Sequence, residues 1–217
     1  PLVCTDSGLV KIGILDKVRN LISNQFTPII FDKTPSNPTE ASVMLALEKY
    51  HAESCDGIIG LGGGSSIDLG KAVSIMVTHK GSLIDYSSNE GGSEKIKETP
   101  SLIAIPTTSG TGSEISSGAV IIMNDGRKLI FVSPNLIPNV AICDPDLTLD
   151  LPSIMTAGAG MDALTHCIEA VLSPMVDPPA EAVGLDGIER IFRKENLVKA
   201  VKDGSNREAR WNMMMAA

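Results

Sequence analysis

The sequence predicts a doubly wound α/β fold: a mostly parallel sheet in the N-terminal part, followed by the start of an all-helical region. Three observations predict it. Short apolar runs of strand length alternate with segments of helical period as far as about residue 146. Two of those runs, "GIIGLGGG" and "SLIAIP", empty into turns of glycine and small hydroxyls. From Ser153 onward helical segments continue and strand candidates stop. The boundary is expected near Pro152, with an α/β domain over 1–151 and a helical domain over 152–217.

Taken in order, "PLVCTD" reads as the end of a strand, and "KIGILDKVRNLISNQ" (11–25) has apolar residues at helical spacing. "TPIIFD" is a short strand, and "NPTEASVMLALEKYHAES" a helix that begins near Pro38 and Thr39. "CDGIIGLGGG" runs from strand into turn, and "SSIDLGKAVSIMVTH" is helix again, with Ser65 or Ser66 as the expected N-cap. "SLIAIP" is a strand entering the polar loop "TTSGTGSE". Two apolar runs flank Asn124-Asp125-Gly126 as in a β-hairpin, and "NVAICDP" is a last short strand. Beyond it, "PSIMTAGAGMDALTHCIEAVLS", "PAEAVGLDGIERIFRKEN" and "NREARWNMMMAA" read as helices. The opening without Met and the uncapped helical close read as a piece of a longer protein.

With 217 residues and 43% hydrophobic content the chain can bury a core. A net charge of −8 with interspersed signs lacks the basic stripe of a nucleic-acid binder. No apolar run has membrane-spanning length and no segment resembles a signal peptide, so a cytoplasmic protein without a membrane partner is expected. Cys4, Cys55, Cys143 and Cys167 show no metal-ligand spacing and read as small buried hydrophobes. His51 and His79, at helix ends, read as solvent-exposed.

The glycine turn "GLGGGSSIDLGKA" fits neither a Walker A loop, since Ala72 follows Gly70-Lys71, nor G-x-G-x-x-G, since Ser65 takes the third position. It is open to two readings: a tight βα turn, or a cradle in which backbone N–H groups at a helix N-terminus meet a pyrophosphate. "PTTSGTGSE" (106–114), placed at the carboxyl edge of the sheet, suits ribose and phosphate oxygens. Asp6 is either a turn aspartate or an acceptor for the two ribose hydroxyls of an adenosine. In "GAGMDALTHCIEA" (158–170), Asp162 and His166 share one helix face among Met161, Ala163, Leu164, Cys167 and Ile168, which suggests a partly buried setting. They are a surface pair, or two ligands for Fe²⁺ or Zn²⁺ whose partners lie beyond Ala217.

Together, "GLGGGSSIDLGKA", "AIPTTSGTGSE" and "AGAGMDALTHCIEA" in this order resemble the iron-containing (group III) alcohol dehydrogenase family, over nearly the whole chain. The resemblance implies an N-terminal dinucleotide-binding domain and a C-terminal helical metal-binding domain. It implies hydride transfer between NAD(P) and a small primary alcohol or its aldehyde, with NAD preferred over NADP, and Fe²⁺ (or Zn²⁺) as the metal. Carried over by motif, Asp6 and Asn37 meet the adenosine side of the cofactor, and Gly63, Gly64 and Ser65 the pyrophosphate, with Asp68 nearby. Thr107, Thr108 and Thr111 form the second cofactor loop, and Lys128 stands near the nicotinamide-side ribose. Asp162 and His166 match the first two metal ligands and the catalytic centre. A homo-oligomer, dimer or larger, is implied as well. The alternatives are a metal-independent maleylacetate-type reductase, a zinc glycerol-type dehydrogenase, and a non-catalytic NAD-binding module.

Overall fold

A computed structural model describes all of residues 1–217. The chain divides into two compact units, one of residues 1–106 with 113–142, the other of 107–112 with 143–217. In the first unit, β1 (Leu2–Cys4), β2 (Ile29–Phe31), β3 (Ile58–Gly62), β4 (Leu102–Pro106) and β7 (Val140–Ala141) form a parallel sheet in the order β2-β1-β3-β4-β7. The five residues of β3 are all buried, as expected of a parallel strand covered on both faces. The helices of this unit are α1 (Ser7–Lys11), α2 (Ile14–Ile22), α3 (Glu40–Ala52) and α4 (Gly64–Thr78). One core, including Leu2, Val43, Leu69, Ile75, Leu83, Ile121 and Phe131, fills the space between these layers.

Local chemistry explains most of the element ends. Thr39 caps α3 through a reciprocal box, its Oγ1 accepting from Ser42 N while Ser42 Oγ accepts from Thr39 N. The helix expected over 11–25 is α2, shorter at Ile14–Ile22; Gly13, left-handed at φ +80°, separates it from α1, which was not expected. α4 begins one turn earlier than a serine cap would place it. Gly63 is its N-cap and contributes no side-chain hydrogen bond, while Ser65 and Ser66 lie inside the helix.

The glycines before α4 are first a packing device. A Cβ on Gly60 would lie 3.0 Å from Ile67 Cα, so this strand position lets the helix axis come close. Gly62 has φ +147°, and a Cβ there would meet Ser66 Oγ at 2.6 Å. No other residue type takes this turn without strain.

The hairpin forms as expected, β5 (Gly118–Ile122) pairing antiparallel with β6 (Lys128–Val132). Gly126 N donates to Met123 O and Met123 N to Arg127 O, closing the loop. It stands as its own two-stranded sheet, however, and does not extend the parallel one. Its backbone bonds are directed elsewhere: Val120 N donates to Asp68 on α4, and Ile122 N to Pro38 O. The position beside β4 goes to β7, held by Asn139 N to Leu102 O and Ile142 N to Ala104 O.

His79 is not simply a solvent-exposed residue. Its Nε2 accepts from Lys97 N at 2.8 Å, which leaves the ring proton on Nδ1, 2.9 Å from Ile75 O at the end of α4. Of the cysteines, Cys4 and Cys167 are buried but Cys55 and Cys143 only partly so.

In the second unit, α5 (Ser153–Leu172), α6 (Pro178–Ile188), α7 (Asn196–Lys202) and α8 (Arg207–Ala216) pack around Ala163, Leu164, Cys167, Ala200, Ala209 and Met213. α6 continues through a π-helical turn, Glu189–Arg193. The sequence reading missed α7. It is two turns long and starts after Glu195, a non-glycine residue at φ +55°, so it offers too few residues for a periodic signal. Arg210, 2% exposed, ties the unit together by donating to Thr156 Oγ1, Leu151 O and Gly204 O. No helix is long and apolar enough to cross a membrane.

Two outcomes follow. Gly62→Ala combines a strained φ with a contact against Ser66, and a urea melt should show a loss of about 1–3 kcal/mol. Burial pushes the Cys4 thiol up to about 12 and also raises that of Cys167. Both should therefore resist a disulfide reagent at pH 8 in the native protein and react once it is denatured.

Candidate functional site

The sheet order reverses at β1. β2 lies on one side of it and β3 on the other, and in such sheets the crevice at the carboxyl ends of the two strands at the reversal is where ligands bind. Cys4 stands opposite Gly60, so Asp6 and Gly62 leave the sheet side by side. Asp6 is half-buried and caps α1, its Oδ1 accepting from Gly8 N at 2.7 Å and Leu9 N at 3.1 Å. On the β3 side, the uncapped start of the 15-residue α4 presents the leading amides of Gly64 and Ser65. They carry the positive end of the helix dipole. Ser65 Oγ donates to Ser36 O at 2.6 Å, which brings the exposed Asn37 to the same edge. Lys128 joins this end through the hairpin: it pairs with Ile122, whose N–H binds Pro38 O next to Asn37.

Asp68 faces a different task from its neighbours in the turn. Its Oδ1 accepts from Ser113 Oγ at 2.5 Å and its Oδ2 from Val120 N at 3.0 Å, so the carboxylate is engaged by protein. Burial raises its pKa, while these two bonds and the nearby Lys71 and Lys128 oppose the rise. One turn on, Lys71 is fully buried and donates to Ser113 O, Ser116 O and Gly118 O at 2.6–2.8 Å. Burial lowers its pKa to about 8 against the opposing pull of Asp68 and Glu114. Glu114, buried as well, is raised by desolvation. Reading the motifs passed over Lys71 and Glu114 as site residues. The available signal was their position: charges inside segments that are otherwise apolar or small.

The second unit holds the remaining candidates. In loop 107–112, Thr107 is buried, Thr108 half-buried and Thr111 exposed. The loop lies directly on α5, since a Cβ on Gly110 would come within 2.7 Å of Ala159 O. Along α5, Ala163, Leu164 and Cys167 face the core, and Asp162 and His166 project from the opposite side. The partly buried setting expected for that pair is not found: their side chains are 47% and 45% exposed, and Met161 and Ile168 beside them are exposed too. The apolar residues at this spacing belong to two different faces, and only one of them is covered.

Asp162 Oδ1 and His166 Nε2 lie 3.9 Å apart. Two metal–ligand bonds of about 2.1 Å can span that separation, and a carboxylate oxygen with an imidazole nitrogen suits Fe²⁺ or Zn²⁺. The pair thus fits as part of a metal site. No group of three or more His, Cys, Asp or Glu forms within the chain, so these residues supply two ligands and not a closed set.

Comparison with known proteins agrees with this geometry. Residues 1–145 match the family described as iron-containing alcohol dehydrogenase, and residues 156–217 match the C-terminal family of Fe-containing alcohol dehydrogenases. The chain is 49% identical to 4-hydroxybutyrate dehydrogenase of Cupriavidus necator, with all of this chain and 56% of the relative covered. The crystal structure of a 1,3-propanediol oxidoreductase superposes with TM-score 0.92 at 38% identity, covering 99% of this chain and 56% of that one. Sulfoacetaldehyde reductase from Bifidobacterium kashiwanohense, solved in complex with NAD⁺, superposes with TM-score 0.88 at 29% identity, covering 99% and 56%. The chain therefore spans about half the length of the relatives it matches. It belongs to the iron-containing alcohol dehydrogenase family.

Proposed function

We propose that this chain carries the NAD-binding part and two metal ligands of a metal-dependent alcohol dehydrogenase. The reaction is reversible hydride transfer between NAD and a small primary alcohol or its aldehyde. The observation that carries the reading is the uncapped N-terminus of α4 at the strand-order reversal, beside Asp6.

The roles follow from the chain's own groups. The amides of Gly64 and Ser65 receive the pyrophosphate, and Ser65 keeps Asn37 at the adenosine edge by holding Ser36. Capping of α1 uses Asp6 Oδ1, so Oδ2 is the oxygen directed to the ribose hydroxyls, and its charge disfavours a 2′-phosphate. Thr107, Thr108 and Thr111 offer their hydroxyls to the cofactor as its second loop, and Lys128 offers a donor on the nicotinamide-ribose side. Asp162 and His166 hold a divalent iron, or zinc, and the remaining ligands come from outside residues 1–217. NAD bound at these amides would serve as the hydride acceptor, and a metal held by Asp162 and His166 would supply Lewis acidity toward the alcohol oxygen. Relatives are named for 4-hydroxybutyrate and 1,3-propanediol, primary alcohols bearing a second polar group, and also for long-chain alcohols, which bear none.

Fluorescence titration should find NADH bound at least about tenfold more tightly than NADPH, and Asp6→Ala should narrow that gap. Comparable affinities in the unaltered protein would remove Asp6 from the ribose site. Elemental analysis should find about one iron or zinc per chain, and His166→Ala should lose most of it. NADH binding with no metal, unaltered by the substitution, would instead support a metal-independent reductase.

A further inference from the structure

We propose that the helical unit carries a ligand site of its own: a polar pocket beside the π-helical turn that takes a polyhydroxy carboxylate, an acid of the sugar-acid type. All of its residues belong to the second unit, and the proposal does not rest on the NAD-binding reading.

The pocket has a volume of about 450 Å³ and is lined by Lys194, Asn196, Lys199, Asn206, Glu208 and Asn212. That volume lies in the range of small-molecule sites. Local folding explains how its most buried member comes to face it. α6 runs into the π-helical turn Glu189–Arg193, and Glu195 then turns the backbone at φ +55°. Asn196 follows, only 4% exposed, and its Nδ2 donates to Arg190 O at 2.8 Å. That bond fixes the amide, because only the nitrogen end can meet a carbonyl. The other end, Oδ1, is therefore an acceptor at the pocket wall, and no group of the protein donates to it. Holding the turn accounts for one half of this side chain. Its oxygen is left to a donor inside the pocket.

The remaining groups define what the pocket accepts. Lys199 Nζ donates to Lys194 O at 2.8 Å, which holds its ammonium at this wall with two further donors. The Lys194 ammonium forms no ion pair within the protein. Asn206 uses Oδ1 to cap α8, accepting from Ala209 N, and keeps Nδ2 as a donor. Glu208, in the first turn of α8, offers a carboxylate with no partner in the protein. Asn212 is engaged at both ends, by Arg190 Nη1 and by Glu208 O, and serves as wall.

Two ammoniums against one carboxylate leave positive charge in excess, which a single ligand carboxylate balances and a phosphate dianion overshoots. Asn196 Oδ1 and Glu208 both need donors, which an ionised carboxylate lacks and hydroxyls supply. A chain with one carboxylate and several hydroxyls meets both demands. A fatty acid or a neutral polyol meets only one.

The test is a calorimetric titration of the full-length protein at low ionic strength with probes of equal chain length. These are gluconate, hexanoate, which lacks the hydroxyls, and sorbitol, which lacks the charge. Gluconate should bind at about one per chain, and at least about tenfold more tightly than either of the others. Lys194→Gln should raise its Kd at least about fivefold, whereas Lys202→Gln should leave it within about twofold. Lys202 lies on α7 outside the lining, and both lysines are exposed, so neither substitution disturbs the core. Absence of gluconate binding overturns the proposal, as does equal binding of the three probes. An unchanged Kd in Lys194→Gln puts the ligand elsewhere on the protein, and an equal effect of Lys202→Gln reduces the attraction to general surface charge. Either result overturns it too.

Discussion

The carboxyl end of the parallel sheet depends on how closely α4 approaches β3. Gly60 presents no Cβ to Ile67, and Gly62 turns the chain through a conformation closed to other residues, so the helix starts at the strand's end with almost no intervening loop. That delivers an uncapped helix N-terminus to the point where the sheet reverses its order, next to the carboxylate of Asp6. Glycines that look like a ligand cradle are thus required by packing first. Their capacity to face an anion is a consequence of where that packing leaves the helix end.

Alongside its buried apolar residues, α4 also carries charge. Asp68 and Lys71, three residues apart, bind the irregular stretch before β5 at Ser113 and Ser116 and the start of β5 at Gly118 and Val120. Each takes a different atom of Ser113, so neither alone defines the position of that residue. Burial acts on the whole group, raising Asp68 and Glu114 and lowering Lys71, and their mutual attraction opposes it. A buried charged cluster of this kind is stable only as a set, because removing one member leaves the others desolvated without a counter-charge.

The second unit is organised by small residues and one arginine. Ala163, Ala200 and Ala209 let its helices pack closely, and Arg210 gathers Leu151, Thr156 and Gly204. Because Ala163, Leu164 and Cys167 turn inward, the spacing of α5 leaves Asp162 and His166 outward, where a metal with further ligands can reach them. The close contact of Gly110 with Ala159 joins the threonine loop to the helix that bears this pair.

The order of the strands and of the helices other than α1 and α7, the hairpin at Asn124-Asp125-Gly126, the cap at Thr39 and the positions of the motifs were legible in the sequence. Each depends on near neighbours: period, turn chemistry and capping act over a few residues. What lies beyond that range had to await the tertiary structure. The residue preferences of helix caps favour a serine at the start of α4, whereas the helix opens at Gly63 without a side-chain cap. Residue spacing cannot place the hairpin outside the main sheet, since its backbone bonds go to residues more than fifty positions earlier, Asp68 among them. The same distance hid Lys71: its partners begin 42 positions away, and only folding brings three carbonyls to one buried ammonium. Local chemistry alone determined the elements and the candidate residues. Long-range hydrogen bonding and desolvation decided which of those residues stay open at the sheet's edge and which hold the chain in place.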